Sequence, residues 1–357
     1  MKKTKLAAGL LPLMLLTGCA HLGSEKLIES RFNYTAAIGD SWKSQMLLNV
    51  VKLRYGDVPI FLAVQSVIDQ HNITTAMNAN ASWVDAASPL GWASVFGGNI
   101  EYSNSPTVTY APMEGAEFGK KMMTPMPIAS IGGLLQAGYS AEIILRLTLH
   151  SINGKKNNSG IDNSASVDGD FYRILDLISA LQASNSIGLR VVTVDGKESV
   201  LLSFNKPTNA DDRAKLNDLR RLLGLDAHTL NFTLVYGVTS PNNKEIAMLT
   251  RSVMEVLSDL SAYIEVPAAH IAENRVLPVK VATRTEGRAI VPLMAIHADA
   301  DKPEDAAVAV PYHGQWYWIS DRDIASKSTF SFLMFLMNLV DSGEEQASPS
   351  LVLPAGH

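Results

Sequence analysis

The chain has 357 residues, a formal net charge of −5 and a single cysteine, Cys19. An acidic chain with no dense stripe of lysine or arginine lacks the electrostatic footprint of a nucleic-acid-binding protein, so no nucleic-acid partner is expected. One cysteine also excludes an internal disulfide and a multi-cysteine metal site.

The N-terminus has the three parts of an export signal. Lys2, Lys3 and Lys5 supply positive charge, and an apolar run extends from Leu6 to Leu16. A membrane-spanning helix needs roughly 20 apolar residues, so this run is too short to stay in the membrane as an anchor. Residues 1–18 therefore have the features of a cleaved signal peptide, namely a charged start, a short apolar run and small residues before a cut site.

The end of this signal carries a more specific pattern. Leu16-Thr17-Gly18-Cys19 resembles the lipobox of type II signal peptides, which marks bacterial lipoprotein precursors. The resemblance implies cleavage after Gly18, attachment of diacylglycerol to the sulfur of Cys19, and acylation of the new amino group with a fatty acid such as palmitate. Two or three acyl chains give durable anchoring in a bilayer. Once lipidated, Cys19 is removed as a nucleophile.

The residue after the cysteine indicates to which of the two membranes the lipoprotein is directed. Ala20 is similar to the residue found in lipoproteins directed to the outer membrane, so we expect a periplasm-facing, lipid-anchored protein. The segments Leu47–Phe61, Pro106–Gly115 and Trp316–Leu333 are similar only to uncharacterised lipoproteins of Gram-negative bacteria.

Helical and strand periodicities alternate along the mature chain and predict an α+β fold with antiparallel-rich sheets, packed helices and two domains. The polar stretch 153–166 is the expected linker. The expected divisions are a lipidated tether at 19–34, an N-terminal α+β domain at 35–152, a C-terminal α+β domain at 167–345 and an extended tail at 346–357.

The N-terminal domain is predicted to combine helices with an antiparallel sheet. Residues 72–83 alternate between apolar and polar side chains, which is typical of a strand. Ser103-Asn104-Ser105 is expected to turn a hairpin between two further strands. The predicted helices cover 36–55, 114–123, 128–136 and 141–150, and the predicted strands cover 58–68, 72–83, 94–102 and 106–110.

The C-terminal domain is predicted to repeat the pattern of helix, hairpin, helix and strand. Its order is similar to that of small modules that build rings in secretion systems, a likeness of fold alone. The predicted helices cover 167–181, 208–223, 243–260 and 329–340, and the predicted strands cover 189–194, 200–204, 230–236, 263–266, 289–296 and 307–319. The expected hairpin turns are Asp195-Gly196 and His313-Gly314. One helix is expected to start at Thr208, paired with Asp211, and another at Asn243. The expected helix ends are Gly56 and Gly224.

One cluster has the residue types of a metal site. His297, Asp299 and Asp301 alternate, and imidazole with carboxylate suits Zn²⁺ or Mn²⁺. The alternative is a solvated loop, which is favoured because three-ligand sites draw on distant parts of the chain. No metal and no cofactor are therefore expected.

A second cluster has the residue types of a sugar site. Trp316 and Trp318 fall on one strand face, followed by Asp321 and Asp323. The aromatic pair and the carboxylates suit sugar binding or acid/base hydrolysis. The alternative is a helix capped by Asp321 or Asp323 behind an ordinary strand.

A third set of residues is more simply explained by roles in the fold than by catalysis or ligand binding. The segment around Ser140 lacks the second glycine of a nucleophile elbow. Ser140 is therefore expected to begin a helix. His150 and His270 are expected in the core or at the surface. Gly97-Gly98 and Gly132-Gly133 do not lie in the strand-to-helix pattern of a phosphate loop.

These patterns favour a structural or assembly role in an envelope complex over an enzyme, although an enzyme is left open. The helix at 329–340 is apolar nearly all round, so it is buried or lies against a partner. The expected partners are the bilayer, other envelope proteins or copies of the same chain. The alternative function is a carbohydrate-active enzyme or a sugar-binding lipoprotein acting on cell-wall or surface polysaccharide.

Overall fold

The computed structural model describes residues 22–68, 71–82, 93–104, 107–157, 168–194, 197–207, 209–278 and 291–341. The predicted signal peptide, its cleavage at Gly18, the lipidated Cys19 and the predicted tail at 346–357 lie outside these residues. Within the described part of the chain, no helix is both long enough and apolar enough to span a membrane.

The fold is α+β, as the sequence predicts. The helices are α1 (Leu22–Arg54), α2 (Ala116–Met123), α3 (Ile128–Gln136), α4 (Ala141–Thr148), α5 (Gly169–Ala183), α6 (Ala210–Leu223), α7 (Val253–Ala262), α8 (Ala268–Ala272) and α9 (Ile324–Asp341). The strands are β1 (Leu62–Ile68), β2 (His71–Ser82), β3 (Ala93–Asn104), β4 (Thr107–Pro112), β5 (Leu149–Ile152), β6 (Lys155–Lys156), β7 (Ile187–Val194), β8 (Lys197–Phe204), β9 (Asn231–Tyr236), β10 (Glu245–Thr250), β11 (His297–Asp299), β12 (Ala306–Tyr312) and β13 (Gln315–Ser320).

The chain divides into two compact units, and the division differs from the expected one. The first unit, called the body, contains Met1–Pro59 and Glu114–Gly343, and the second contains Ile60–Met113 and Glu344–His357. The expected linker at 153–166 does not separate domains, because β5 before it pairs with β10 after it in one sheet. A polar stretch marks a surface connection as readily as a domain boundary.

The main sheet of the body has the strand order β6-β5-β10-β9-β8-β7. Its neighbours are antiparallel except β9 and β10, which are parallel. Helix α3 packs against β7 and β8, and Gly132 permits the close approach, since a β-carbon there would lie 2.9 Å from Cγ1 of Val200. The Gly132-Gly133 pair therefore serves helix packing.

One predicted helix of the body is wrong. Asn243 does not start a helix, because 245–250 forms strand β10 inside the main sheet. Ile246, Ala247 and Met248 are all buried, so the strand is apolar on both sides and shows no period of two. The helix begins after Ser252, whose side chain accepts from the backbone N–H of Glu255 while that glutamate accepts from the N–H of Ser252.

Several other predicted boundaries are displaced. Residues 263–266 contain no strand, and the described part of 289–296 contains none either, since β11 begins at His297. Helix α6 is capped by Asn209, one residue after Thr208, which lies outside the described residues. Helix α1 begins inside the expected tether, where the lack of proline and the presence of leucine, glutamate and lysine favour helix.

A smaller sheet in the body has the order β11-β13-β12. The hairpin of β12 and β13 turns at His313 and Gly314, both with positive φ, as a two-residue turn of this kind requires. Helix α9 contacts α2 and β13. It buries five apolar side chains, namely Phe330, Phe332, Leu333, Leu336 and Met337, so the body itself covers most of the apolar surface of this predicted helix.

The second unit contains two antiparallel strand pairs, which we call the ribbon. β1 pairs with β4 from Leu62 opposite Pro112 to Ile68 opposite Thr107, with a register shift between Val64 and Ser66. β2 pairs with β3 from His71 opposite Asn104 to Ser82 opposite Ala93. The predicted hairpin around Ser103-Asn104-Ser105 is wrong, because β3 pairs with β2 and β4 pairs with β1.

Candidate functional site

The structure brings two sequence clusters together on one face of the small sheet. His297 is opposite Trp318 and Asp299 is opposite Trp316, because β11 pairs with β13 in that register. Residues directly opposite in an antiparallel pair lie on the same side of a sheet. We call these four residues the tryptophan face.

The side chains of the tryptophan face contact one another and their surroundings. The indole N–H of Trp318 donates to Oδ2 of Asp299 at 2.7 Å, and the rings of His297 and Trp318 have centroids 5.0 Å apart. Nζ of Lys302 lies 5.5 Å from the ring centroid of Trp316, within the range of a cation–π contact. Both tryptophans are partly exposed, so the face offers ring surface, a carboxylate and a cation to a ligand.

The metal-like cluster does not assemble as a metal site. Nδ1 of His297 lies 3.1 Å from Oε1 of Glu265, while Asp299 accepts from Trp318. No group of three or more histidine, cysteine, aspartate or glutamate side chains among the described residues has the arrangement of a metal site.

Asp321 and Asp323 are each engaged close to their own helix. Asp323 precedes α9 and accepts from both the backbone N–H and the hydroxyl of Ser326, and these hydrogen bonds lower the pKa of Asp323. Oδ1 of Asp321 lies 2.9 Å from Nζ of Lys327. Asp323 thus caps the helix, as the structural alternative in the sequence analysis expected.

A tyrosine and histidine cluster lies on the other side of β13. Tyr317 is fully buried, and its hydroxyl is 2.5 Å from the hydroxyl of Tyr55, which is 2.6 Å from Nδ1 of His270. The hydroxyl of Tyr312 donates to Asp57. Sequence reasoning missed this cluster, since its members are 215 and 262 residues apart along the chain and share no motif.

Burial sets the protonation of the cluster. Desolvation, followed by the hydrogen bond to Asp57, raises the pKa of Tyr312 to about 12. Desolvation and then the hydrogen bond to Tyr55 raise the pKa of Tyr317 above its ordinary value. Both phenols therefore stay neutral at physiological pH and act as hydrogen-bonding groups that join α1 to the small sheet.

A groove of about 540 Å³ lies between the start of α4 and α9. Tyr139, Phe332 and Phe335 line it, and the rings of Tyr139 and Phe335 stack at 6.4 Å. Ser140 also lines it and occupies the N-cap position of α4, as expected, but its side chain makes no capping hydrogen bond. His270 is buried in the core and His150 is exposed.

The ribbon is described by its register. β2 pairs with β3 from His71 opposite Asn104 to Ser82 opposite Ala93, without a shift.

The alternation over 72–83 is the sequence signal of a strand, and its described part, 72–82, lies in β2. Trp83 lies outside the described residues. Gly97 and Gly98 are strand residues of β3. Sequence reasoning found both strands and missed that they pair with each other.

Comparisons with known proteins identify no significantly similar protein. No protein family matches the chain, and neither a curated protein nor a solved structure is significantly similar to it.

Proposed function

We propose that the protein is an outer-membrane lipoprotein, anchored through acylated Cys19 and facing the periplasm, that acts as a structural component of an envelope assembly. The observation that carries this proposal is the ribbon. Two paired strands of 12 residues each form a sheet of their own, and among the described residues neither outer edge pairs with a third strand.

Two-stranded sheets of this kind need a partner. An isolated hairpin is marginally stable in water, and an unpaired edge presents N–H and C=O groups that accept a strand from another chain. A second copy of the same ribbon supplies a strand of the same length. We propose that the β2 edge of one copy pairs with the β3 edge of the next, a heterologous contact that repeats from copy to copy.

The assembly is tested by removing β2 and β3 while keeping the rest. Replacing residues 71–104 by an Asn-Gly turn joins β1 to β4 directly, and light scattering then measures the mass of each protein in the same detergent. The intact protein is expected as a multimer and the shortened variant as a monomer. Unchanged resistance of the body to limited proteolysis is the folding control. A monomeric intact protein, or a shortened variant that is still a multimer, contradicts the proposal.

The anchor is tested separately, by metabolic labelling with a palmitate analogue. The intact protein is expected to take up the label and Cys19→Ser is expected to lose it entirely. Label in the Cys19→Ser variant, or no label in the intact protein, contradicts acylation at this residue. This readout is independent of whether any other part of the protein binds membranes.

The tryptophan face favours a second candidate function, binding of cell-wall or surface polysaccharide. Sugar rings stack on aromatic faces, and Asp299 stands beside both indoles to accept hydroxyl hydrogen bonds. Titration with chitooligosaccharides and peptidoglycan fragments is expected to quench the fluorescence of the protein, with saturation lost in Trp316→Ala and kept in Trp42→Phe. Equal binding by both variants excludes this face.

A further inference from the structure

We infer that the outer edge of β7 accepts an extended segment of a partner protein that carries a carboxylate opposite Arg190. The segment adds one strand to the six-stranded main sheet of the body. This surface is separate from the ribbon, so the inference goes beyond the proposed assembly and does not depend on it.

The two edges of the main sheet differ in how they are protected against another strand. At one edge, β6 has only two residues, Lys155 and Lys156. A very short edge strand and lysine side chains are common means of preventing edge pairing. At the other edge, β7 has eight residues with no proline and a single charge, Arg190, and it pairs with β8 in one register throughout. The β7 edge therefore has little of this protection.

The backbone of β7 presents hydrogen-bonding groups along this edge. The N–H of Asn205 donates to the carbonyl of Ser186, so that carbonyl points toward β8. Because the direction alternates from residue to residue in an antiparallel pair, the N–H and C=O groups of Ile187, Leu189 and Val191 point away from β8. Among the described strands none pairs with β7 on that side. These groups are therefore available to an added strand.

The middle of this edge is open to solvent on both faces of the sheet. Arg190 and Val191 are adjacent, so their side chains lie on opposite faces, and both are exposed, Val191 to 38%. Val191 is opposite Val200, which is only 2% exposed and lies next to Gly132 of α3. Helix α3 thus covers β8 and leaves the margin of β7 open, where an apolar side chain of an added strand covers Val191.

Arg190 determines which partner fits. It is exposed, and none of the described residues forms a hydrogen bond or ion pair with its guanidinium, whereas Arg173 and Arg221 both pair with Asp218. Opposite charges that face each other across a strand pair are stabilising, and like charges are destabilising. A carboxylate on the added strand, directly opposite Arg190, therefore complements this edge.

The same charge disfavours a second copy of β7 as the added strand. The residues whose backbone groups point outward, 187, 189, 191 and 193, are symmetric about Arg190. Antiparallel pairing of two copies that uses all of these groups consequently places Arg190 opposite Arg190, where the like charges repel. The segment that fits comes from a different protein.

Binding of defined peptides to the full chain in detergent tests the inference by fluorescence anisotropy. The first probe is a labelled nine-residue peptide of alternating threonine and valine with glutamate at its centre. The second has lysine in place of glutamate, and the third has the sequence of β7 itself. The glutamate peptide is expected to bind about threefold or more tightly than either of the others. Arg190→Gln is expected to abolish its advantage over the lysine peptide, and Lys156→Gln, on the protected edge, is expected to preserve it.

Methylation of the peptide backbone distinguishes strand addition from a contact between charges alone. One version of the glutamate peptide is N-methylated at its valines and another at its remaining residues. Since alternate amides point to opposite edges of a strand, only one version is expected to lose binding. Equal behaviour of the two versions, or a glutamate preference that Arg190→Gln leaves unchanged, overturns the inference. Binding of the β7 peptide as tight as that of the glutamate peptide also overturns it and identifies a second copy as the partner. Each of these outcomes is independent of the mass measured by light scattering, so the proposed assembly can stand or fall separately.

Discussion

The hydroxyl of Tyr55, at the end of α1, bridges the hydroxyl of Tyr317 at 2.5 Å and Nδ1 of His270 at 2.6 Å. Tyr55 is thus the central group of a three-membered hydrogen-bond chain. The two outer groups come from β13 and from α8, so one phenol holds together three separate parts of the body.

Removal of the central hydroxyl is expected to cost more than removal of an outer one. Tyr55→Phe leaves two buried polar atoms without this partner and is expected to lower the unfolding free energy by about 1–3 kcal/mol. Tyr317→Phe leaves Tyr55 bonded to His270 and is expected to cost about 1 kcal/mol or less. Urea unfolding of both variants measures the difference, and an equal or larger loss in Tyr317→Phe contradicts this order.

Stability is expected to fall in alkaline solution. The folded-state pKa of Tyr312 is about 12, above the ordinary value of about 10. Between these values the unfolded chain has released a proton that the folded chain still holds, so the contribution is fully present below about pH 10 and declines as the pH rises toward 12. The raised pKa of Tyr317 acts in the same direction. Urea midpoints at about pH 9 and pH 11 are expected to differ less in Tyr312→Phe than in the intact protein, and an equal difference in both is inconsistent with this assignment.

Two serines at helix starts are expected to differ in what they contribute. Ser252 accepts from the N–H of Glu255 and completes a capping box, so Ser252→Ala is expected to cost about 0.5–2 kcal/mol. Ser140 occupies the same position of α4 without a side-chain cap, so Ser140→Ala is expected to stay within about 0.5 kcal/mol of the intact protein. Thermal unfolding compares the pair, and similar losses refute the distinction.

Local signals in the sequence predicted much of this fold. The hairpin turn at His313 and Gly314 was predictable because a two-residue turn with positive φ favours glycine. Helix α3 was predicted with its observed bounds because proline precedes it and its apolar residues follow the helical period. The strand β10 was not predictable, since a central strand that is buried on both sides resembles a buried helix in sequence.

Strand partners were harder to predict than strands. The alternation in β2 identified a strand, but Ser103-Asn104-Ser105 indicated a local turn that the structure does not use. Pairing of β1 with β4 joins residues separated by the whole of β2 and β3, and no local pattern records such a contact. The tryptophan face likewise depends on the register of β11 with β13, which brought together two clusters that had been interpreted separately.

The register shift between Val64 and Ser66 decides which residues of β1 lie opposite which residues of β4. It inserts one extra residue on the β1 side, and the pairs from Ser66 to Ile68 inherit that offset. Deletion of one residue from β1 at this point would realign these pairs, whereas a substitution leaves the alignment unchanged. This strand is therefore expected to tolerate substitutions far better than changes in its length.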